Sequence, residues 1–364
     1  MLPPAPFPLP NQSTQQERVC NRVQYARTCV AITEGAALTT RLVVGTFTPS
    51  VLLAVARRVG RLEEHGLQVE EVAVTSSPAQ FRSLLAGALD VALTSPDNVL
   101  AYRFGPANPL GVVADARIVS TVDRGLGLAL YGRPGLDVGE QLRGAALGVD
   151  VPTSGFALAM YSLTESLGVG KDEYRLVALG STPRRLEALL AGSCDATMLN
   201  AGNELLAEQA GCVRLARVAD VCSPYIGTVL CVAGADHLAE AGRLAHALRR
   251  TAVDICTGGA DEAVTSAAAA ALGLPDDLAT RYVDRLKSPD EGLVVDDGVD
   301  RAALRTVVAL RTRYLPDLVD IEVLDRALDP GSGLIAAAAG APTSSGTAPD
   351  RRRVGAPSPA QERK

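Results

Sequence analysis

SSPAQFRSLLAGALDVALTSPDN (76–98) and STPRRLEALLAGSCDATMLNAGN (181–203) are two versions of one phrase. Sliding the chain by 105 positions without a gap aligns eleven identical pairs between positions 72 and 100 of the first copy. They are Val72/Val177, Ala73/Ala178, Ser76/Ser181, Pro78/Pro183, Leu84/Leu189, Leu85/Leu190, Ala86/Ala191, Gly87/Gly192, Asp90/Asp195, Asn98/Asn203 and Leu100/Leu205. Random pairing in so Ala-, Leu- and Gly-rich a chain gives about three. One structural unit therefore underlies both stretches. Two copies are too few for a solenoid, so two lobes on a common plan fit better.

Each copy reads as a helix closed by Gly, a tight turn at Asp, a short strand and a further helix. In the first, Ser77 is the expected N-cap, Pro78 the first helical position and Gly87 the C-cap. Upstream, RLVVGTF (41–47) is a strand, PSVLLAVARRVGRLEEHG (49–66) one helix ended by Gly66, and LQVEEVAV (67–74) a second strand. DVALTS (90–95) is a third strand and PDNVLAYRF a helix, and such alternation predicts a mainly parallel sheet. RIVSTVD (117–123) and LGLALYG (126–132) follow with no helix between them. A second round then runs from AALGVDV (145–151) through SGFALAMYSLTESLG, YRLVALG (174–180) and the second copy to AGNELLAEQAG and VRLARV (213–218). PYIGTVLCVAG (224–234) returns as an extended segment, and 236–329 reads as helices only.

The expected organisation is a disordered leader over 1–40, lobe one over 41–128 plus 229–329, lobe two over 129–228, and a disordered tail over 330–364. LGLALYG and YIGTVLCVAG are the two crossings.

Composition excludes several classes of function. Of 364 residues 47% are hydrophobic and 4% aromatic, without Trp, so the core is built from Ala, Val and Leu. A net charge of −6 and the lack of a basic stripe argue against nucleic acid. The seven cysteines form no CxxC pair, which suggests reduced thiols and no zinc ribbon. No segment has the length of a membrane span, and no signal peptide is recognisable. The sequence as written predicts a cytoplasmic protein, and an extracytoplasmic one if the true start lies elsewhere.

This order of segments resembles the periplasmic-binding-protein fold of the second topological class: α/β, with two related mixed sheets flanked by helices and hinged by two crossing strands. More narrowly it resembles the solute-binding proteins of nitrate, sulfonate and taurine ABC transporters and their thiamine-pyrimidine-synthase relatives. The resemblance rests on VVGTFTPSVLLAVARRVGRLEEHGLQVE, on the two copies of the repeat and on GVDVPTSGF, and it covers 41–330. It implies a small polar or anionic organic ligand held in a cleft between the lobes, and an ABC permease as partner. Neither a cofactor nor a metal is expected.

Ligands of open α/β sheets sit beyond the carboxyl ends of the strands, where helix starts present free N–H groups. That rule selects Thr46, Thr48 and Ser50 after the first strand and Ser95, Asp97 and Asn98 after the third. In lobe two it selects Thr153, Ser154 and Gly155, then Asn200 and Asn203. Tyr225, with Thr121, Asp123 and Thr228, lies near the crossings. Capping alone is the competing reading for every Ser, Thr, Asp and Asn here, and is favoured for Ser77 and Thr182. Asp90 and Asp195 read as turn residues, and Arg184 and Arg185 as a solvated helix face or as anion ligands. The start at Thr153–Gly155 is the expected anion site. Asn98 and Asn203, as repeat mates, are expected to clamp a ligand from opposite sides.

The alternative is a cytosolic enzyme on the same scaffold, a decarboxylase, pyrimidine-synthase-like or other biosynthetic enzyme acting on a small organic acid or heterocycle. GxSxG, the P-loop and HExxH are absent, and His65, His237 and His246 lie outside the expected cleft. The pyrimidine-synthase branch carries a cysteine-rich motif that is missing here. Sulfinate desulfinases have a cysteine where this chain offers Thr46. No catalytic residue is assigned.

Overall fold

A computed structural model describes residues 39–318 and 320–336. Residues 1–38 of the expected leader, most of the tail, Cys20 and Cys29 lie outside these residues, and the leader's expected end at 40 is corrected, since Thr40 already opens the first strand. Sheet one has the order β2 (Leu67–Ala73), β1 (Thr40–Thr46), β3 (Val91–Thr94), β10 (Thr228–Ala233), β4 (Ala116–Asp123). Sheet two repeats it: β7 (Arg175–Ala178), β6 (Ala146–Val149), β8 (Ala196–Leu199), β5 (Ala129–Gly132), β9 (Val213–Arg217). In each, the first three strands run parallel, and the fourth is antiparallel to both neighbours. That fourth strand is the one that has just crossed from the other lobe, β5 or β10. The helices are α1 (Val51–Arg58), α2 (Arg61–Glu64), α3 (Ser77–Leu85), α4 (Pro96–Phe104), α5 (Gly155–Ser166), α6 (Thr182–Leu190), α7 (Asn203–Gln209) and α8 (Val218–Val221). They continue as α9 (Leu238–Cys256), α10 (Asp261–Leu272), α11 (Asp276–Lys287), α12 (Arg301–Tyr314) and α13 (Ile321–Asp325).

The repeated LLAGxxD phrase has a specific backbone task. Asp90 accepts the Val43 N–H on Oδ2 at 2.8 Å and donates its own N–H to Val43 O at 2.9 Å. Asp195 does the same to Ala146, at 2.8 and 2.7 Å. Each aspartate stitches the first strand of its sheet to the third just ahead of the ladder, pairing backbone groups that would otherwise be unsatisfied.

Three local expectations are corrected. Ser76, not Ser77, caps α3: its extended backbone lets Oγ accept from Ala79 N–H at 3.3 Å. The segment 49–66 is two helices, because Gly60 turns left-handed at φ 76°, a conformation no α-helix continues through. Residues 330–336 are not the start of a structureless tail. Ile335 bridges to Ile118, and Ile118 N–H donates to Leu334 O at 2.7 Å.

Two large cores result. One packs Leu42, Val44, Leu53 and Leu230 of sheet one and its helices against Leu244, Leu248 and Tyr282 of α9 and α11. The other runs through both lobes: Phe81, Val99 and Tyr102 of lobe one join Tyr161 and Leu163 of α5 and Leu304 and Val307 of α12. Helix α12 packs on both α4 and α5. No described helix is long and apolar enough to cross a membrane.

Candidate functional site

Four strand ends meet where the sheets face each other. β1 leads through Phe47–Pro49 to Ser50, the N-cap of α1, and β3 leads to Ser95, the N-cap of α4. From lobe two, β6 leads through Asp150 to Ser154 and α5, and β8 leads to Asn200. Together they enclose a cavity of about 110 Å³, several times the roughly 10–15 Å³ that one water requires. Of the residues expected at a site, Thr46, Thr48, Ser50, Ser95, Asn98, Ser154, Gly155 and Asn200 line it.

Asp97, Thr153, Asn203 and Tyr225 do not. Asp97 is fully buried in a two-point ion pair with Arg311 of α12, at 2.7 and 2.9 Å. Arg311 also donates to Thr153 O at 3.2 Å, so Thr153 serves through its carbonyl. Tyr225 is buried, and that burial raises its hydroxyl pKa. The amide of Asn203 donates to Asn200 O at 3.0 Å and reaches Thr48 Oγ1 at 3.4 Å. Of the expected Asn98/Asn203 clamp only Asn98 lines the cavity, because the mates diverge in backbone. Helix α4 begins at Pro96, immediately after its cap, whereas left-handed Ala201 and Gly202 delay α7 until Asn203 itself. Asn98 stays on the wall, donating to Thr94 Oγ1 at 3.0 Å.

Capping and lining prove compatible. Ser50 Oγ accepts from Leu53 N–H and Ser95 Oγ from Asp97 N–H, yet both line the cavity. Thr46 Oγ1 and Ser50 N–H both donate to Glu71 Oε1, each at 2.7 Å. Ser154 Oγ is buried without a hydrogen-bond partner among the described residues. The start of α5 is not an open anion site: a Cβ on Gly155 would lie 2.6 Å from both Asp97 Cβ and Ser95 Oγ of the opposite lobe.

Sequence reasoning left Arg185 between a solvated face and an anion ligand, placed Asp123 only near a crossing, and missed Asp150 and the apolar part of the wall. Arg185 belongs to no solvated face; it is buried, lines the cavity, and is held below its usual pKa, at about 10, by desolvation. Its repeat mate Gln80 is buried in the same way. Gln80 donates to Leu93 O at 3.1 Å, and Arg185 donates to Met198 O, the mate of Leu93, at 3.2 Å. Asp150 follows β6 directly in GVDV, where the strand-end rule applies equally. Asp123, at the first crossing, is pushed up to about 6 by burial, against bonds from Thr228 and Gly125. Phe47, Leu126, Phe156, Tyr282, Leu286 and Leu293 form the apolar wall. The last three come from the C-terminal region, whose sequence carries no local mark of a site.

The histidines lie elsewhere: His65 and His246 bond each other at 2.7 Å, and His237 pairs with Asp90 at 3.2 Å. Among the described residues no group of three or more His, Cys, Asp or Glu could hold a metal.

No protein-family model matches the chain, and no curated protein matches it in sequence. Its fold is similar to many solved structures. The alkanesulfonate-binding protein SsuA from Xanthomonas axonopodis pv. citri, bound to MOPS, superposes with a TM-score of 0.61 at 16% identity, covering 79% of this chain and 99% of its own. The periplasmic aliphatic sulphonate-binding protein SsuA of Escherichia coli gives 0.59 at 14% identity, over 90% and 99%. A zinc-bound ligand-binding component of an ABC-type import system from Staphylococcus aureus gives 0.61 at 14% identity, over 79% and 99%. The likeness establishes the two-lobed periplasmic-binding-protein fold.

Proposed function

We propose, for a chain with the periplasmic-binding-protein fold, that it is a solute-binding protein. It holds one small organic molecule between its lobes and presents it to an ABC-type permease. The lobes, 41–128 with 229–329 and 129–228, move relative to each other about the crossings at 124–128 and 218–227. The observation that carries this reading is the cavity itself. Side chains from four strand ends, two in each lobe, line one space between the sheets, the position where open α/β sheets bind ligands. The ligand residues are Thr48, Asn98, Ser154, Thr182 and Thr228, with Asp150 as the charged group. The similar solved proteins that carry solute-binding names support the assignment without fixing the ligand.

Thermal-shift screening against sulfonates, aromatic acids, amines and pyrimidines, followed by product analysis of every stabilising compound, tests it. A compound that stabilises the protein and is recovered unchanged is the expected result. Turnover of the bound compound would overturn the reading in favour of an enzyme.

A further inference from the structure

Besides the phenol of Tyr282, three ionisable side chains line the cavity: Asp123, Asp150 and Arg185. Two are engaged by the protein. Asp123 Oδ1 accepts the Gly125 N–H at 2.8 Å, and the Thr228 hydroxyl also donates to this carboxylate. The Arg185 guanidinium makes four hydrogen bonds, two to Met198 O and one each to Gly180 O and Thr182 Oγ1. At the helix starts around the cavity one backbone N–H each is also taken. Ser50 N–H donates to Glu71, Ser77 N–H to Asp150 Oδ2 at 3.0 Å, Ser181 N–H to Thr75 O at 2.9 Å, and Gly202 N–H to Glu204 at 2.8 Å. The start of α5 abuts Asp97. An anion entering here would meet a guanidinium already bonded to the protein's own oxygens, and helix starts with part of their N–H groups taken.

Asp150 differs in keeping one oxygen unpaired, with Arg185 near enough to feel its charge but making no hydrogen bond to it. It is nine-tenths buried, Oδ2 has the Ser77 N–H, and Oδ1 has no hydrogen-bond partner among the described residues. A buried carboxylate oxygen without a donor is costly, and a charged donor satisfies it best. The rest of the wall offers aromatic and aliphatic surface from Phe47, Phe156, Tyr282 and Leu286.

We infer that the cavity selects a small molecule bearing a cationic, hydrogen-bond-donating nitrogen (an amine or amidine) on an apolar body, with Asp150 as its counter-group, and that it discriminates against sulfonates and carboxylates of the same shape. The inference rests on the solute-binding reading and deepens it.

The probes are benzamidine and 2-phenylethylamine, set against benzenesulfonate and phenylacetate, in calorimetry and thermal shift on the full chain. The nitrogen compounds should bind and the anions should not. Asp150→Asn should weaken benzamidine about tenfold or more while the unliganded melting temperature holds. Asp150→Glu, which keeps the charge, should retain the preference for nitrogen compounds. Thr48→Trp, which fills the cavity, should abolish binding of every probe. Binding of the anions alone overturns the ligand class and leaves the solute-binding reading standing. Benzamidine affinity that survives in a folded Asp150→Asn protein overturns the role of Asp150. If none of the four probes binds, the ligand class falls, and the wider screen described above decides the function separately.

Discussion

Arg311 and Asp97 lie 214 residues apart in the chain and close a buried, two-point ion pair at 2.7 and 2.9 Å. Removing one partner leaves an uncompensated charge in the core, which costs about 3–5 kcal/mol. Arg311→Met should therefore lower stability by that order in urea titration. Asp97→Asn with Arg311→Met should cost clearly less, since the stranded carboxylate is gone. Equal losses in the single and double variants would mean that the pair contributes through packing alone.

Gly155 sits where the lobes touch. Its Cβ position is occupied to within 2.6 Å by Asp97 and Ser95 of the opposite lobe, so a side chain there forces the lobes apart. Gly155→Val should raise the radius of gyration in small-angle scattering and weaken any ligand by about tenfold or more, on the order of 1.4 kcal/mol. Unchanged dimensions with unchanged affinity would show that lobe two yields locally instead.

Asn98 and Asn203 should separate. Asn98→Ala removes an amide from the cavity wall and should weaken ligand binding by about 1–2 kcal/mol, with little change in melting. Asn203→Ala removes a brace on Asn200 O and should lower melting by about 1 kcal/mol of stability while affinity holds. Calorimetry and melting curves on the two variants decide it, and the reverse pattern would move the site toward α7.

Glu204 is buried on α7, 3.4 Å from Arg285, and burial raises its pKa from 4.5 to about 7 despite that arginine. Between those values the folded state binds the extra proton and the unfolded state does not. Stability therefore falls as pH rises from about 4.5 to about 7, by an amount on the order of 2–4 kcal/mol. Asp123, with its pKa near 6, adds a term of the same sign. Glu204→Gln should flatten the pH dependence of urea midpoints across this window relative to the parent. A slope unchanged by the substitution would place the titration elsewhere.

The repeat made the fold legible because its signal is periodic and local. Gly closing a helix, Asp beginning the next strand and a short apolar run repeat at one spacing, and the two sheets repeat in strand order accordingly. Thr48, Ser50, Ser95 and Ser154 on the cavity wall were legible for another reason, the rule that ligands sit beyond the carboxyl ends of the strands. Arg185 was not, because a helix face looks solvated until the carbonyls beneath it are known. Nor were Tyr282 and Leu286, brought to the cavity by α11, a helix far along the chain from the strand ends it covers. Asn203 misled because a repeat conserves spacing, while two left-handed residues before α7 alter where a helix begins.

Helix α12 adds a constraint on motion that the two crossings alone would not impose. It rests on α4 in one lobe and α5 in the other, with Arg311 tied to Asp97 on the first side and Tyr314 bonded to Glu165 on the second. A clam-shell rotation would tear one of those faces open and expose core side chains to water. Small sliding steps of α12 along its neighbours would keep both faces covered, so any opening of the cavity that preserves this packing is a shear, in increments of side-chain repacking.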